Sequence, residues 1–185
     1  MIALPTALAL VSTLFLSEGP GGGKVLPVTA GYFGETLVHP GLYVGTERSL
    51  AMGFGVEYGV GGYVHYRYQS ALFASVAMSW RLTTAVGYTF SLAVGIGYLH
   101  AFRSGGPTYT VHDSGQAEET TDWGSPSFMP SFKLGLLGWD FRTRAGLPWR
   151  VSADAIAFGQ YPINDFMMPH AALLVSATYF WSIEP

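Results

Sequence analysis

Between residues 85 and 98 large and small side chains alternate without a break. Val86, Tyr88, Phe90, Leu92, Val94, Ile96 and Tyr98 share one parity, and Gly87, Thr89, Ser91, Ala93, Gly95 and Gly97 share the other. Successive side chains of a β-strand point to opposite faces, so the pattern predicts a strand with one continuous apolar face and one of small, uncharged residues. A sheet face in water would carry charge. A face with neither charge nor volume suits the inside of a narrow barrel whose bulky residues point outward into lipid.

The same period recurs along the chain. Segments of the ~9–11 residues that a tilted membrane strand needs, or somewhat longer, fall at 28–36, 40–50, 55–68, 71–82, 85–102, 127–139, 147–160 and 170–181. Eight is an even number and the smallest strand count of bacterial outer-membrane barrels. The one long connection, 103–126, follows the fifth strand, while those after the second and fourth, 51–54 and 83–84, are short. If the first strand starts in the periplasm, the long connection lies outside the cell and the short ones inside, with 140–146 the longest turn on the inner side. The chain therefore reads as all-β, an antiparallel up-and-down transmembrane β-barrel of eight strands.

Parity also sorts the charges. Glu47, Glu57, His65, Arg67, Arg81, Lys133, Arg150 and Asp154 all fall on the inward face, three acids against four bases with a histidine beside them. An unpaired charge in a narrow lumen is costly, so these residues are predicted to form an ion-pair network that closes the barrel. A proton or ion path through the same residues is the functional alternative. Eight strands enclose just enough room for side chains to fill, which argues against an open pore. Arg48, near a strand end, is the exception to the sorting. Tyr66, Tyr68, Trp80, Tyr98, Phe102, Trp139, Trp149, Tyr179, Phe180 and Trp181 cluster near strand ends, as interfacial girdles do.

Composition narrows the class further. At 185 residues the chain is one domain, and only 11% of it is charged against roughly 25% in a typical soluble domain. A net charge of −3 with nine scattered Lys and Arg forms no basic stripe, which excludes nucleic acid as a partner. The absence of cysteine excludes a disulfide scaffold and thiol chemistry. Residues 1–16 are apolar and too short to span as a helix, and glycines follow; 1–23 reads as a secretory signal and linker, although its first residues carry no Lys or Arg. Residues 24–185 then form the barrel domain.

On this pattern, over about residues 28–181, the chain resembles the small eight-stranded outer-membrane β-barrel family typified by the membrane domain of outer membrane protein A. Two motifs, Gly31-Tyr32-Phe33-Gly34-Glu35 with His39-Pro40-Gly41, and Tyr161-Pro162-Ile163-Asn164, are similar to a set of short envelope barrel proteins. The resemblance implies a barrel in the bacterial outer membrane and no activity. The C-terminal Tyr179-Phe180-Trp181 resembles the aromatic signal read by barrel assembly machinery, except that four residues follow it.

Candidate chemistry sits at the outer rim, where His39, His112, Ser114, Asp165 and His170 could serve a hydrolytic site. The His112-x-Ser114 spacing is similar to that of lipid A deacylase barrels, with Glu118 or Glu119 as orienting acid, but it falls in a loop rather than on a strand. Histidine spacing does not support a metal site, and no cofactor is implied. The acidic loop 104–127 could meet divalent cations between lipopolysaccharide phosphates, or a basic partner. The sequence thus points to an outer-membrane barrel with a structural or surface-interaction role and no catalytic one. Its expected partners are outer-membrane lipid, lipopolysaccharide and the assembly machinery. A lipid-modifying or hydrolytic barrel enzyme is the first alternative. A soluble lipocalin-like barrel, with the bulky face turned inward, is the second.

Overall fold

The computed structural model describes residues 16–18, 23–66, 69–103, 108–111, 115–120, 123–163 and 166–183. A two-residue segment, β1 (Ser17–Glu18), precedes β2 (Lys24–Glu35), β3 (Gly41–Ser49), β4 (Phe54–His65), β5 (Gln69–Thr83) and β6 (Tyr88–Arg103). A small hairpin, β7 (Thr108–Val111) and β8 (Ala117–Thr120), and the short β9 (Ser125–Phe128) follow. The chain continues through β10 (Ser131–Asp140), the helical turn α1 (Phe141–Ala145), β11 (Trp149–Ile163) and β12 (Phe166–Ile183).

Eight strands form a closed ring, β2–β3–β4–β5–β6–β10–β11–β12, and β12 returns to pair with β2 from Ala172↔Glu35 to Ile183↔Lys24. Every pairing in the ring is antiparallel, so the fold is the eight-stranded up-and-down barrel that the period-2 pattern predicts. Closure leaves no unpaired edge, the condition for a sheet to sit in hydrocarbon. Ser17 fits where the β2–β3 pairing has ended, pairing with Val25, while its hydroxyl donates to the Glu47 carbonyl and accepts from Ser49 N.

The parity holds around the ring. Val94 is 64% exposed and Ala93, its neighbour, 4%; Leu42, Val60, Leu72, Met78 and Ile96 likewise stand on the outer wall. With bulky residues outside and charges inside, the soluble lipocalin-like alternative is overturned. In β10 the register shifts between Gly135 and Gly138, which turns Leu136 and Leu137 both outward while Gly135 and Gly138 keep their places opposite Ser91 and Thr89. A bulge of this kind spends an extra residue to keep both flanking faces in phase.

The two ends of the barrel differ. At one end the connections are tight. Met52 and Gly53 both have positive φ (59° and 81°), as the primed turns that match strand twist require, and a Cβ at Gly53 would lie 2.5 Å from the Arg81 carbonyl. The stretch 140–146 is longer because it holds α1, capped by Asp140, whose side chain accepts from Arg142 N, and ended by Gly146 at φ 65°. The opposite end carries the described connection 36–40 and the strand ends His65, Gln69, Arg103, Ser131, Ile163 and Phe166.

Candidate functional site

The interior is built in layers, each set by which residues the inward parity delivers at one height. Nearest the short-turn end, register places Glu47 of β3 directly opposite Glu57 of β4. Two like charges facing each other would repel, and the arrangement holds because cations converge from across the barrel. Arg150 of β11 grips Glu47 through both carboxylate oxygens at 2.9 and 2.7 Å. Arg81 of β5 bridges the pair, with Nη1 2.9 Å from Glu47 Oε1 and Nη2 3.4 Å from Glu57 Oε1. Lys133 of β10 takes the other oxygen of Glu57. The chain of contacts Arg150–Glu47–Arg81–Glu57–Lys133 crosses the lumen from side to side.

Asp154 lies beside this chain. It accepts a hydrogen bond of 3.0 Å from Ser152 Oγ, while Oδ1 has no hydrogen-bond partner and points among hydroxyls and Gly135. The space here is about 30 Å³, enough for roughly one water, and is lined by Ser91, Ser152, Ser176 and Thr178 among others.

The six residues brought together carry three acids and three bases, so the network is neutral. Parity assigned two further residues, Arg67 and His65, to it. Arg67 lies outside the described residues. His65 lies far along β4, beyond the apolar layer, and packs edge-on against His39 with ring centroids 3.6 Å apart.

Above the ion pairs the lumen changes character. Phe33, Tyr63, Phe73, Leu99, Met129 and Phe158 form a buried apolar cluster, with Tyr43 and Ile156 against it. Phe33 sits at its centre, 4.9 Å from Phe73 and 6.1 Å from both Tyr63 and Phe158. Inward parity alone does not distinguish this layer from the polar one; the signal was the run of inward residues on β11, where Arg150, Ser152 and Asp154 give way to Ile156 and Phe158. A cavity of about 50 Å³ separates the two layers.

The rim residues converge on a carboxylate that motif spacing did not single out. Glu35, the last residue of β2, meets His39 Nδ1 through Oε2 and His170 Nδ1 at 2.9 Å through Oε1. Thr36 Oγ1 is 3.1 Å from the same Oε2 and 2.8 Å from His39 Nδ1. His170 stacks on Phe158 at 4.8 Å with planes 7° apart, and its Nε2 is buried without a hydrogen-bond partner. A nucleophile relay needs the hydroxyl on the nitrogen remote from the acid. Here the Thr36 hydroxyl meets the nitrogen that also faces the acid, and Nε2 of His170 has no hydrogen-bond partner; the contacts of Glu35 join β2, its loop and β12. His112, Ser114 and Asp165 lie outside the described residues.

With ring closure, outward apolar face and layered lumen established, the molecule has the fold of the eight-stranded outer-membrane β-barrels. It is similar in fold to the crystal structure of Neisserial surface protein A (NspA), with a TM-score of 0.58 at 8% identity, over 85% of this chain and 95% of that one. It is similar also to the N-terminal β-barrel domain of Pseudomonas aeruginosa OprF, with a TM-score of 0.51 at 13% identity, over 84% and 97%. Neither a protein-family model nor a curated relative matches the sequence.

Proposed function

We propose that this chain is a bacterial outer-membrane barrel with a structural or surface-interaction role and a sealed lumen. The observation that carries the reading is the inversion of its faces: Val60, Leu72, Val94 and Ile96 stand exposed on the wall, while Glu47, Glu57, Arg150 and Asp154 are buried within. In water such an exposed apolar band would drive association, whereas in a bilayer it is the solvent-matched surface. The fold it shares with NspA and the OprF barrel domain supports the same reading. In this orientation the short-turn end faces the periplasm, and the long-loop end, with the contacts of Glu35, faces lipopolysaccharide and the exterior. Barrel assembly machinery is the partner that such a fold needs to insert.

The test is fractionation with gel migration. Expressed in a Gram-negative host, the chain floats with outer-membrane fractions and runs faster unheated than boiled on a detergent gel. Recovery in the soluble fraction without detergent overturns the reading. Lipid A composition is unchanged by expression; a new or missing acyl chain would instead establish a lipid-modifying enzyme.

A further inference from the structure

The mouth of the barrel at the short-turn end opens into a cavity of about 180 Å³ bounded by four arginines, Arg48, Arg81, Arg142 and Arg150, and by two acids, Glu47 and Asp140. Gly53 and Gly55 also line it and add no side chain to the space. Arg81 and Arg150 belong to the neutral ion-pair network and Asp140 balances Arg142, so the excess positive charge at the mouth is that of Arg48.

Each guanidinium has five N–H donors in a fixed fork, and the acids consume only some of them. Arg142 is held by Asp140 through Nε at 3.0 Å and Nη2 at 2.6 Å, and it lies 3.4 Å over the ring of Phe180. That grip uses Nε and Nη2, leaves Nη1 with no acceptor among the described residues, and holds the group in place. Arg81 spends Nη1 and Nη2 on Glu47 and Glu57, which leaves Nε. Arg48, on the other parity of β3, makes no ion pair among the described residues. The site is therefore preorganised: its cations are positioned by acids and an aromatic ring, and spare donors remain.

Passage further inward is closed. Behind Arg81 stand the Lys133–Glu57 pair and then the aromatic layer around Phe33. An anion that enters from this end stops there, which makes the vestibule a binding site and not the entrance of a channel.

We propose that this arginine-lined mouth binds a phosphate-type oxyanion presented from the periplasmic side. Planar guanidinium forks match tetrahedral and carboxylate oxygens in pairs, and a recess shielded from bulk water strengthens each charged hydrogen bond. The oxyanion has two sources with the same chemistry: a free phosphate, or the phosphodiester of an anionic lipid of the inner leaflet, toward which Arg48 on the outer parity is placed.

Two arms separate the sources. In the first, the full chain folded in octyl glucoside, a detergent without phosphate, is titrated with inorganic phosphate by calorimetry. In the second, the chain in phosphatidylcholine vesicles is exposed to brominated phosphatidylglycerol, and tryptophan quenching is compared with that by brominated phosphatidylcholine. Saturable phosphate uptake, weakened at least tenfold in Arg48→Gln/Arg142→Gln, supports the free anion. A preference for the anionic lipid that the double variant loses supports the lipid phosphate. Arg48→Gln alone, which disrupts no ion pair, weakens whichever binding is found by about threefold and serves should the double variant fail to fold. Heat-dependent gel migration of the same samples reports the barrel itself, so loss of the anion and loss of the fold are distinguished. Absence of binding in both arms, or binding that neither variant alters, overturns the proposal.

Discussion

Glu47 and Glu57 face each other across β3 and β4, and the residues that make this tolerable come from three other strands. Removing one partner of a buried ion pair leaves a stranded charge, which typically costs about 3–5 kcal/mol, whereas replacing both with apolar groups is often close to neutral. Arg150→Met should therefore lower stability in urea titrations of the detergent-folded protein by about that amount, and adding Glu47→Leu should restore at least half of it. Asp154 provides the contrast. It makes no ion pair among the described residues and leaves Oδ1 without a partner, so Asp154→Asn should stay within about 1 kcal/mol of the parent in the same titration. A loss for Asp154→Asn equal to that for Arg150→Met would mean that the charge of Asp154 is held as tightly as that of Glu47.

At the scale of the element, each strand is a two-sided object whose faces meet different solvents. Val94 is on the outer wall near the middle of β6, so Val94→Arg should cost about 2–4 kcal/mol when the protein is folded into bilayers, the range for a cation at mid-depth. The connection α1 is set by different forces. Asp140 both caps the helix and clamps Arg142, at 3.0 Å from its amide and 2.6 Å from Nη2. Loss of an N-cap alone costs about 1 kcal/mol. Asp140→Ala should destabilise by at least that much while leaving the β10–β11 pairing intact, as amide exchange along both strands would report. Exchange that spreads through Asp140–Arg150 into the middle of β11 would show that the turn and the strands unfold together.

For the whole molecule, two unlike layers close one lumen, and that redundancy has a consequence. The ion pairs cross the lumen and the Phe33 cluster fills it beyond them, with cavities of only about 30 and 50 Å³ among their side chains. The reconstituted protein should show no steady single-channel conductance in planar bilayers. Phe33→Ala/Phe73→Ala should remain non-conducting because the Arg150–Glu47–Arg81–Glu57–Lys133 chain still spans the lumen, and adding Arg81→Ala should be what admits ions. Conductance in the parent would refute the sealed barrel, and conductance in the aromatic double variant would show that the ion pairs are not a barrier.

Much of this architecture follows from local arithmetic. A side chain's face depends only on its parity, so alternation along 85–98 was enough to predict a strand with an apolar outer wall, and the same count placed Glu47, Glu57, Arg81, Lys133, Arg150 and Asp154 on the inward face. Parity carries no information about height. His65 and Glu57 lie on the same face of β4, yet one belongs to the rim and the other to the ion pairs, because four turns of the pleat separate them. Nor could strand spacing reveal that Glu35 gathers His39 and His170, since that contact joins residues 135 positions apart through the β12–β2 closure. The bulge at Leu136–Leu137 and the arginine mouth belong to the same category. The sequence by itself determined strand, face and ring size, which are short-range consequences of the backbone. Register around a closed ring decided everything that depends on height: which charges meet, where the lumen turns apolar, and which end stays open.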